Sequence, residues 1–105
     1  MTIIWQTEAR TSFRQIAQYI NKRFGRKARQ EFLQKVKDTE LLLKDQPGIG
    51  SPDPLFADRT IAYRSIIING LSKMVYCTKG NAIHVVAFWD CRREPNRQAA
   101  TAKQT

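Results

Sequence analysis

TIAYRSIIINGLSKMVYCTKGNAIHVVAFW, residues 60–89, is the stretch of this sequence that decides the fold. It contains three runs rich in β-branched and aromatic residues, which are typical of strands and cover roughly residues 60–68, 71–78 and 82–89. Asn69-Gly70 is a strong hairpin signal, because both central residues of a type I′ turn need a positive φ. Lys79-Gly80-Asn81 supplies a second turn. The stretch therefore predicts an antiparallel three-stranded meander.

Two amphipathic helices are predicted before the meander. The first has its apolar residues at the spacing of one helical face: Phe13, Ile16, Ala17, Ile20 and Phe24. We expect the Thr7 hydroxyl to cap this helix, beside Glu8 at the favourable end of the helix dipole, and Gly25 to end it. The second, over about residues 26–44, has an apolar stripe of Ala28, Phe32, Val36 and Leu43, with Leu33 and Leu42 at its margin. The short break at Gly25 predicts an antiparallel helical hairpin.

A short strand and a loop complete the predicted architecture. Ile3, Ile4 and Trp5 favour a first strand over residues 2–6. Prolines and glycines over residues 47–54 predict a loop, because they exclude a continued helix. The order β-α-α-β-β-β predicts an α+β fold, with the helical hairpin packed on one face of a mostly antiparallel sheet. We expect a single domain over residues 1–95 and a polar C-terminal tail over residues 96–105.

The charge of the chain indicates its class of partner. Eighteen Lys and Arg against nine Asp and Glu give a net charge of +9 and a pI of about 10.1. This surplus favours association with nucleic acid, ribosomal RNA, an acidic protein segment or an anionic membrane, the alternative being a solvated basic surface. Cys77 and Cys91 fit no paired redox or zinc pattern and are expected to be reduced. The chain lacks a signal peptide pattern and a long apolar run, so a cytoplasmic protein is expected.

Basic residues of the meander form the candidate site. Arg64 alternates with apolar residues within its strand, Lys73 is similarly placed on the next, and Arg92 and Arg93 follow the last. Together they predict a compact positive patch suited to phosphate or carboxylate. The structural alternative for Arg64 is an ion pair with Asp90 or Glu94, and Lys73 has a similar alternative.

Two further features have a favoured structural interpretation. Five cations surround the tip of the predicted hairpin, where a solvated corner is the usual outcome: Lys22, Arg23, Arg26, Lys27 and Arg29. His84 is the only histidine and could act as a general acid or base, but its place inside the last strand favours a packed structural residue. No metal-binding, nucleotide-binding or hydrolase motif is present, so no metal site and no cofactor are predicted.

Several stretches resemble the RelE/ParE family of bacterial toxins. The resemblance includes Thr7-Glu8-Ala9 at the helix start, the helical stretch 16–20, and the strands at 63–67, 72–76 and 83–89 with the closing Arg92-Arg93-Glu94-Pro95. It covers about residues 1–95, and its specificity comes from length, element order, charge and this ending taken together. The resemblance implies the toxin of a type II toxin–antitoxin system, which inhibits growth until a cognate antitoxin, here expected to be acidic, neutralises it.

The family divides by target, and the resemblance leaves two mechanisms open. RelE-like members cut messenger RNA on the ribosome without metal, in which case Lys73 and Arg93 match their basic catalytic positions and Arg64 is a further candidate. ParE-like members poison DNA gyrase and are not enzymes in this sense. This chain has no tyrosine or histidine after Arg93, where RelE-like enzymes often use one. We therefore favour the ParE-like mechanism, with the RelE-like ribonuclease and a non-toxic nucleic-acid-binding module as alternatives.

Overall fold

The computed structural model describes residues 1–56, 58, 60–68, 70 and 72–90. Its elements are β1 (Thr2–Trp5), α1 (Thr7–Phe24), α2 (Arg26–Asp45), β2 (Ser51–Pro52), a 3-10 turn (Pro54–Phe56), β3 (Arg64–Ile68), β4 (Ser72–Lys79) and β5 (Ala82–Asp90). The strands form one sheet in the order β1-β5-β4-β3-β2, in which β1 pairs parallel with β5 and the other neighbours are antiparallel. The predicted α+β class, with a hairpin on a mostly antiparallel sheet, is confirmed.

The segment between α2 and the meander differs from its prediction. The first meander strand begins at Arg64 rather than near residue 60, and the expected loop contains the edge strand β2. Pro52 suits an edge position, because a proline has no N–H to donate to a further strand. Two residues are too few to show the alternation of apolar and polar side chains that identifies a strand. β2 therefore could not be predicted from the sequence.

The helical hairpin has the expected joint but lacks one expected cap. Gly25 has a φ of 98° and separates α1 from α2, and its N–H donates to the carbonyl of Asn21 at 3.0 Å. Such a positive φ favours glycine. The prediction that Thr7 caps α1 is wrong. Gln6 occupies the cap position with extended backbone and forms no side-chain cap, because the helix already begins at Thr7.

The main core lies between the helical hairpin and one face of the sheet. Its aromatic centre consists of Trp5, Phe13, Phe32 and Phe88, with ring centroids between 5.3 and 5.9 Å apart. Phe24 was expected on the same helical face, but it is 60% exposed and packs edge-on against Tyr19. The apolar face of α1 thus contacts the sheet along most of its length but not at its end.

A second, smaller cluster lies on the opposite face of the sheet. Phe56 stacks on Trp89 at 5.7 Å and contacts the ring of Tyr63 at 4.9 Å, above the buried Val75 and Ala87. The segment that begins at Asp53 therefore covers part of the face that the helices leave open. Within the described ranges, no helix combines the length and apolar character needed to cross a bilayer.

Candidate functional site

Arg64 lies at the start of β3, on the face that carries the helices. It alternates with Ile66 and Ile68, which both belong to the main core. Its guanidinium Nη1 donates to the carbonyl oxygen of Gly50 at 2.7 Å, and the side chain is partly buried. The contact fixes Arg64 to the loop that follows α2.

The ion pair between Arg64 and Asp90, the structural alternative to the basic patch, is not formed. Arg64 is opposite Tyr76 on β4, whereas Asp90 is opposite Ser72 at the other end of the same strand. About four strand residues and two strand spacings separate the two positions, which is roughly 16 Å. Glu94, the other partner named in that alternative, lies outside the described residues.

Tyr76 joins Arg64 in holding this loop. Its side chain is fully buried, and its hydroxyl donates to the carbonyl of Pro47 at 2.8 Å and accepts from the N–H of Gly50 at 2.9 Å. Burial raises the pKa of Tyr76, while the hydrogen bond from Gly50 and the charge of Arg64 oppose that rise. The phenol is therefore a neutral structural anchor for the loop at residues 46–50.

Lys73 lies on the other face of the sheet and is engaged by a buried carboxylate. Its Nζ is 3.0 Å from Oδ2 of Asp53, whose side chain is wholly buried, and 5.4 Å from the ring centre of Trp89. Oδ1 of Asp53 accepts the N–H of Leu55 at 2.8 Å, whereas Oδ2 has no well-formed hydrogen bond from the described residues. The ammonium is thus the charge partner that makes burial of this carboxylate tolerable.

The predicted patch is divided by the sheet. Arg64 shares its face with Met74 and Tyr76 of the main core, while Lys73 shares the opposite face with Trp89. Adjacent residues along a strand point to opposite faces, and the register places the two cations on different sides. Arg64 and Lys73 therefore do not share one surface. Arg92 and Arg93, the other members of the predicted patch, lie outside the described residues.

A cleft of about 300 Å³ lies where α1 passes the end of β5. Its walls come from Ser12, Gln15, Ile16 and Tyr19 on α1, and from Phe88, Trp89 and Asp90 on β5. Arg92 and Arg93 follow Asp90 by two and three residues in the sequence. This cleft is a concave surface of mixed polarity beside the strand end that the sequence singles out.

His84 and Cys77 are neighbours across β4 and β5. The register pairs them, and Ile4 of β1 follows on the other side of His84. Cys77 is a buried free thiol, and burial raises its pKa although the charge of Lys79 opposes this. In the part of the chain that the structure describes, no group of three or more His, Cys, Asp or Glu side chains is placed to hold a metal ion.

Comparisons with known proteins identify the class to which this fold belongs. The family model described as the ParE toxin of type II toxin–antitoxin systems, parDE, matches residues 3–95. A solved structure titled "Chromosomal ParDE TA system from P. aeruginosa" is similar, with a TM-score of 0.68 and 14% identity over 86% of this chain and 95% of that one. No curated protein matches the chain.

The chain therefore has the α+β fold of a type II toxin. The structural likeness, at 14% identity, shows the fold, and the family match extends over nearly the whole chain. The chain belongs to the ParE toxin family. A toxin of such a system has a cognate antitoxin as its partner.

Proposed function

We propose that this toxin inhibits growth by binding DNA gyrase, and that it does not cut RNA. The observation that supports the proposal is the separation of two of the three cations predicted for a RelE-like site. Arg64 and Lys73 lie on opposite faces of the sheet, and each is engaged by a partner within the chain. Charge stabilisation of one scissile phosphate needs donors that converge on it.

The groups available for proton transfer support the same proposal. A metal-free ribonuclease must take a proton from the 2′-hydroxyl and deliver one to the leaving oxygen, which groups with a pKa near neutrality do best. Among the described residues, the hydroxyl of Tyr76 is occupied by the loop, and Tyr63 packs in the ring cluster on the opposite face. His84 lies mid-strand and two strands away from Arg64 in the sheet. These groups do not surround a common point.

Two reactions with purified components test whether the target is DNA gyrase or the ribosome. The toxin is added to DNA gyrase with relaxed plasmid, and separately to ribosomes carrying a defined messenger RNA. We expect loss of supercoiling with accumulation of cleaved plasmid, and intact messenger RNA. Codon-specific cleavage on the ribosome with unaffected gyrase would establish the RelE-like alternative and contradict the proposal.

Substitutions sharpen this test. Arg93→Ala should reduce gyrase inhibition if the predicted basic strand end contacts the target, since guanidinium groups there supply charge rather than core volume. His84→Gln should leave inhibition nearly unchanged, and it serves as the matched control with a similar side-chain size. Thermal melts of both variants distinguish a lost contact from a lost fold. Ribosomal cleavage that disappears with His84→Gln would make this protein an enzyme.

The charge of the toxin supports an acidic antitoxin. A surplus of +9 favours a negatively charged segment that folds as it covers the toxin. Co-expression with the neighbouring small gene should restore growth, and the two proteins should co-purify with an affinity that falls as salt rises. Growth that is unaffected by the toxin alone would instead favour the non-toxic nucleic-acid-binding module.

A further inference from the structure

The positive charge of this protein is concentrated in one segment. Residues 9–30 contain seven of the eighteen Lys and Arg and none of the nine Asp and Glu. The other residues carry eleven basic and nine acidic side chains, a surplus of two against the total of +9. The segment covers nearly all of α1, the turn at Gly25 and the first turns of α2. Most of the net charge therefore resides on the helical hairpin.

The hairpin presents part of this charge as a straight row. Arg10, Arg14, Gln18 and Lys22 follow one another at i+4 along α1, and all four are exposed. Each step along such a row is about 6 Å, so the row is about 18 Å long. It contains no apolar residue. Ala9, Phe13 and Ala17 pack into the main core, which fixes the helix and hence the row.

A second set of cations begins across a shallow groove. Arg14 and Gln18 of α1 and Arg29 of α2 line a cleft of about 280 Å³ together with Phe13, Ala17 and Leu33. Arg26 and Lys27 continue the charge towards the hairpin tip. No ion pair to any of the seven basic side chains of the segment is found among the described residues. The cations thus lie on packed helices, and none of them has an acidic partner among the described residues.

We propose that this outer face of the helical hairpin, formed by Arg10, Arg14, Lys22, Arg26, Lys27 and Arg29, binds the phosphate backbone of duplex DNA. Duplex DNA carries one negative charge per about 1.7 Å of its axis, so a row about 18 Å long runs beside roughly five base pairs. Fixed Lys and Arg side chains neutralise phosphates with release of counterions and without reading sequence. The inference goes beyond the proposed function, because it concerns DNA without gyrase.

The surface fits duplex DNA better than the other polyanions. Recognition of single-stranded RNA depends on stacking platforms for unpaired bases, and the two sheet faces are covered in part by the helices and by Leu55, Phe56 and Tyr63. An acidic antitoxin helix docks through an apolar stripe, whereas the six side chains that form the proposed face are all cationic. A rigid, sequence-independent array of cations is what backbone binding to a duplex requires.

The test measures binding of the purified full-length toxin to a labelled duplex by fluorescence anisotropy over a range of salt concentrations. The variant is R10Q/R14Q/R29Q, and the control is K35Q/K44Q/K79Q, which removes the same charge from exposed positions outside this face. We expect the slope of log affinity against log salt to fall by about three for the first variant, about one per lost phosphate contact, and its affinity at low salt to drop at least roughly tenfold. The control should bind like the wild type within a small factor.

Parallel measurements keep the result interpretable. Both variants are melted to verify the fold, and both are titrated with the co-purified antitoxin, with a single-stranded RNA and with gyrase. Equal losses of DNA binding in the two variants would overturn the proposal, because net charge alone would then explain binding. A variant that loses antitoxin or RNA binding while retaining DNA binding would also overturn it. If the wild-type toxin does not inhibit gyrase but binds DNA through this face, the proposed function is refuted. The inference about DNA binding is then still supported.

Discussion

Replacing Lys73 with methionine should destabilise the protein far more than it affects any target contact. The ammonium of Lys73 is 3.0 Å from the carboxylate of Asp53, whose side chain has no exposed surface. Lys73→Met keeps the unbranched apolar part of the side chain and removes the charged end. Asp53 is then a buried carboxylate without its cation.

The structure sets the size of this effect. Removing one partner of a buried ion pair typically costs about 3–5 kcal/mol, because an uncompensated charge remains. For a domain of this size each kcal/mol lowers Tm by about 4–8 °C, so Lys73→Met should lower it by at least roughly 12 °C. Asp53→Asn should cost less, because Lys73 is 14% exposed and its ammonium can turn to water.

A double-mutant cycle measures the pair. In Asp53→Asn/Lys73→Met, the amide oxygen of residue 53 can still accept the N–H of Leu55, and no charge is buried. We expect the double variant to unfold within about 1 kcal/mol of the wild type and to inhibit growth normally. The assay is chemical denaturation of the three variants, with growth inhibition measured beside it. A Lys73→Met protein that melts like the wild type but loses toxicity would refute the reasoning and make Lys73 a target-binding residue.

The loop after α2 provides three further predictions. Arg64→Ala should lower stability by about 1.5–3 kcal/mol, the usual range for a hydrogen bond to a charged group; a reduced growth inhibition at unchanged stability would instead assign Arg64 to the target. Gly50→Ala should also be destabilising, since an added Cβ would lie 2.7 Å from the Tyr76 hydroxyl oxygen and 3.0 Å from the carbonyl of Ser65; an Ala variant that melts like the wild type would contradict that contact. Because the pKa of Tyr76 is raised in the folded state, its contribution to stability is present below the ordinary value of 10.0 and decreases as pH rises above it. Denaturation of Tyr76→Phe and wild type between pH 8 and about 11 should therefore show a smaller alkaline loss in the variant, and identical slopes would disprove it.

The repeated patterns of the sequence predicted the elements well. The helical periodicity up to Ile20, the joint at Gly25 and the three β-rich runs correspond to observed elements, although the first run starts later than expected. Whether a helix, turn or strand forms at these places is decided mainly by residues that are close together in the chain. The sequence alone is therefore enough to predict them. Helix caps and very short strands depend on the positions of a few atoms. Thr7 was wrongly predicted to cap α1, and the two-residue strand β2 was not predicted.

The candidate site depended on distant parts of the chain and was predicted less well. Arg64 and Lys73 were predicted to belong to one basic patch, with a structural ion pair as the alternative for each. Their partners, the carbonyl of Gly50 and the carboxylate of Asp53, lie 14 and 20 residues away in a loop without periodicity. The alternation of each strand was visible, but the alignment of one strand against the next was not. That alignment is what places the two cations on opposite faces.

The sequence by itself determined the class of the fold, the order of the two helices and the four longer strands, and the basic character of the helical hairpin, because periodicity, turn chemistry and charge are properties of neighbouring residues. Only the tertiary structure decided that the five-residue strand β3 begins at Arg64, that Tyr76 and Arg64 hold the loop after α2, and that Asp53 is buried against Lys73. Each of these depends on strand register and on how a loop without regular structure crosses the sheet. These contacts matter for stability because a buried polar group that loses its partner cannot form a hydrogen bond to water instead. Packing between distant residues therefore gives Arg64 and Lys73 partners within the toxin, whereas the cations of the helical hairpin are left at the surface to bind a partner.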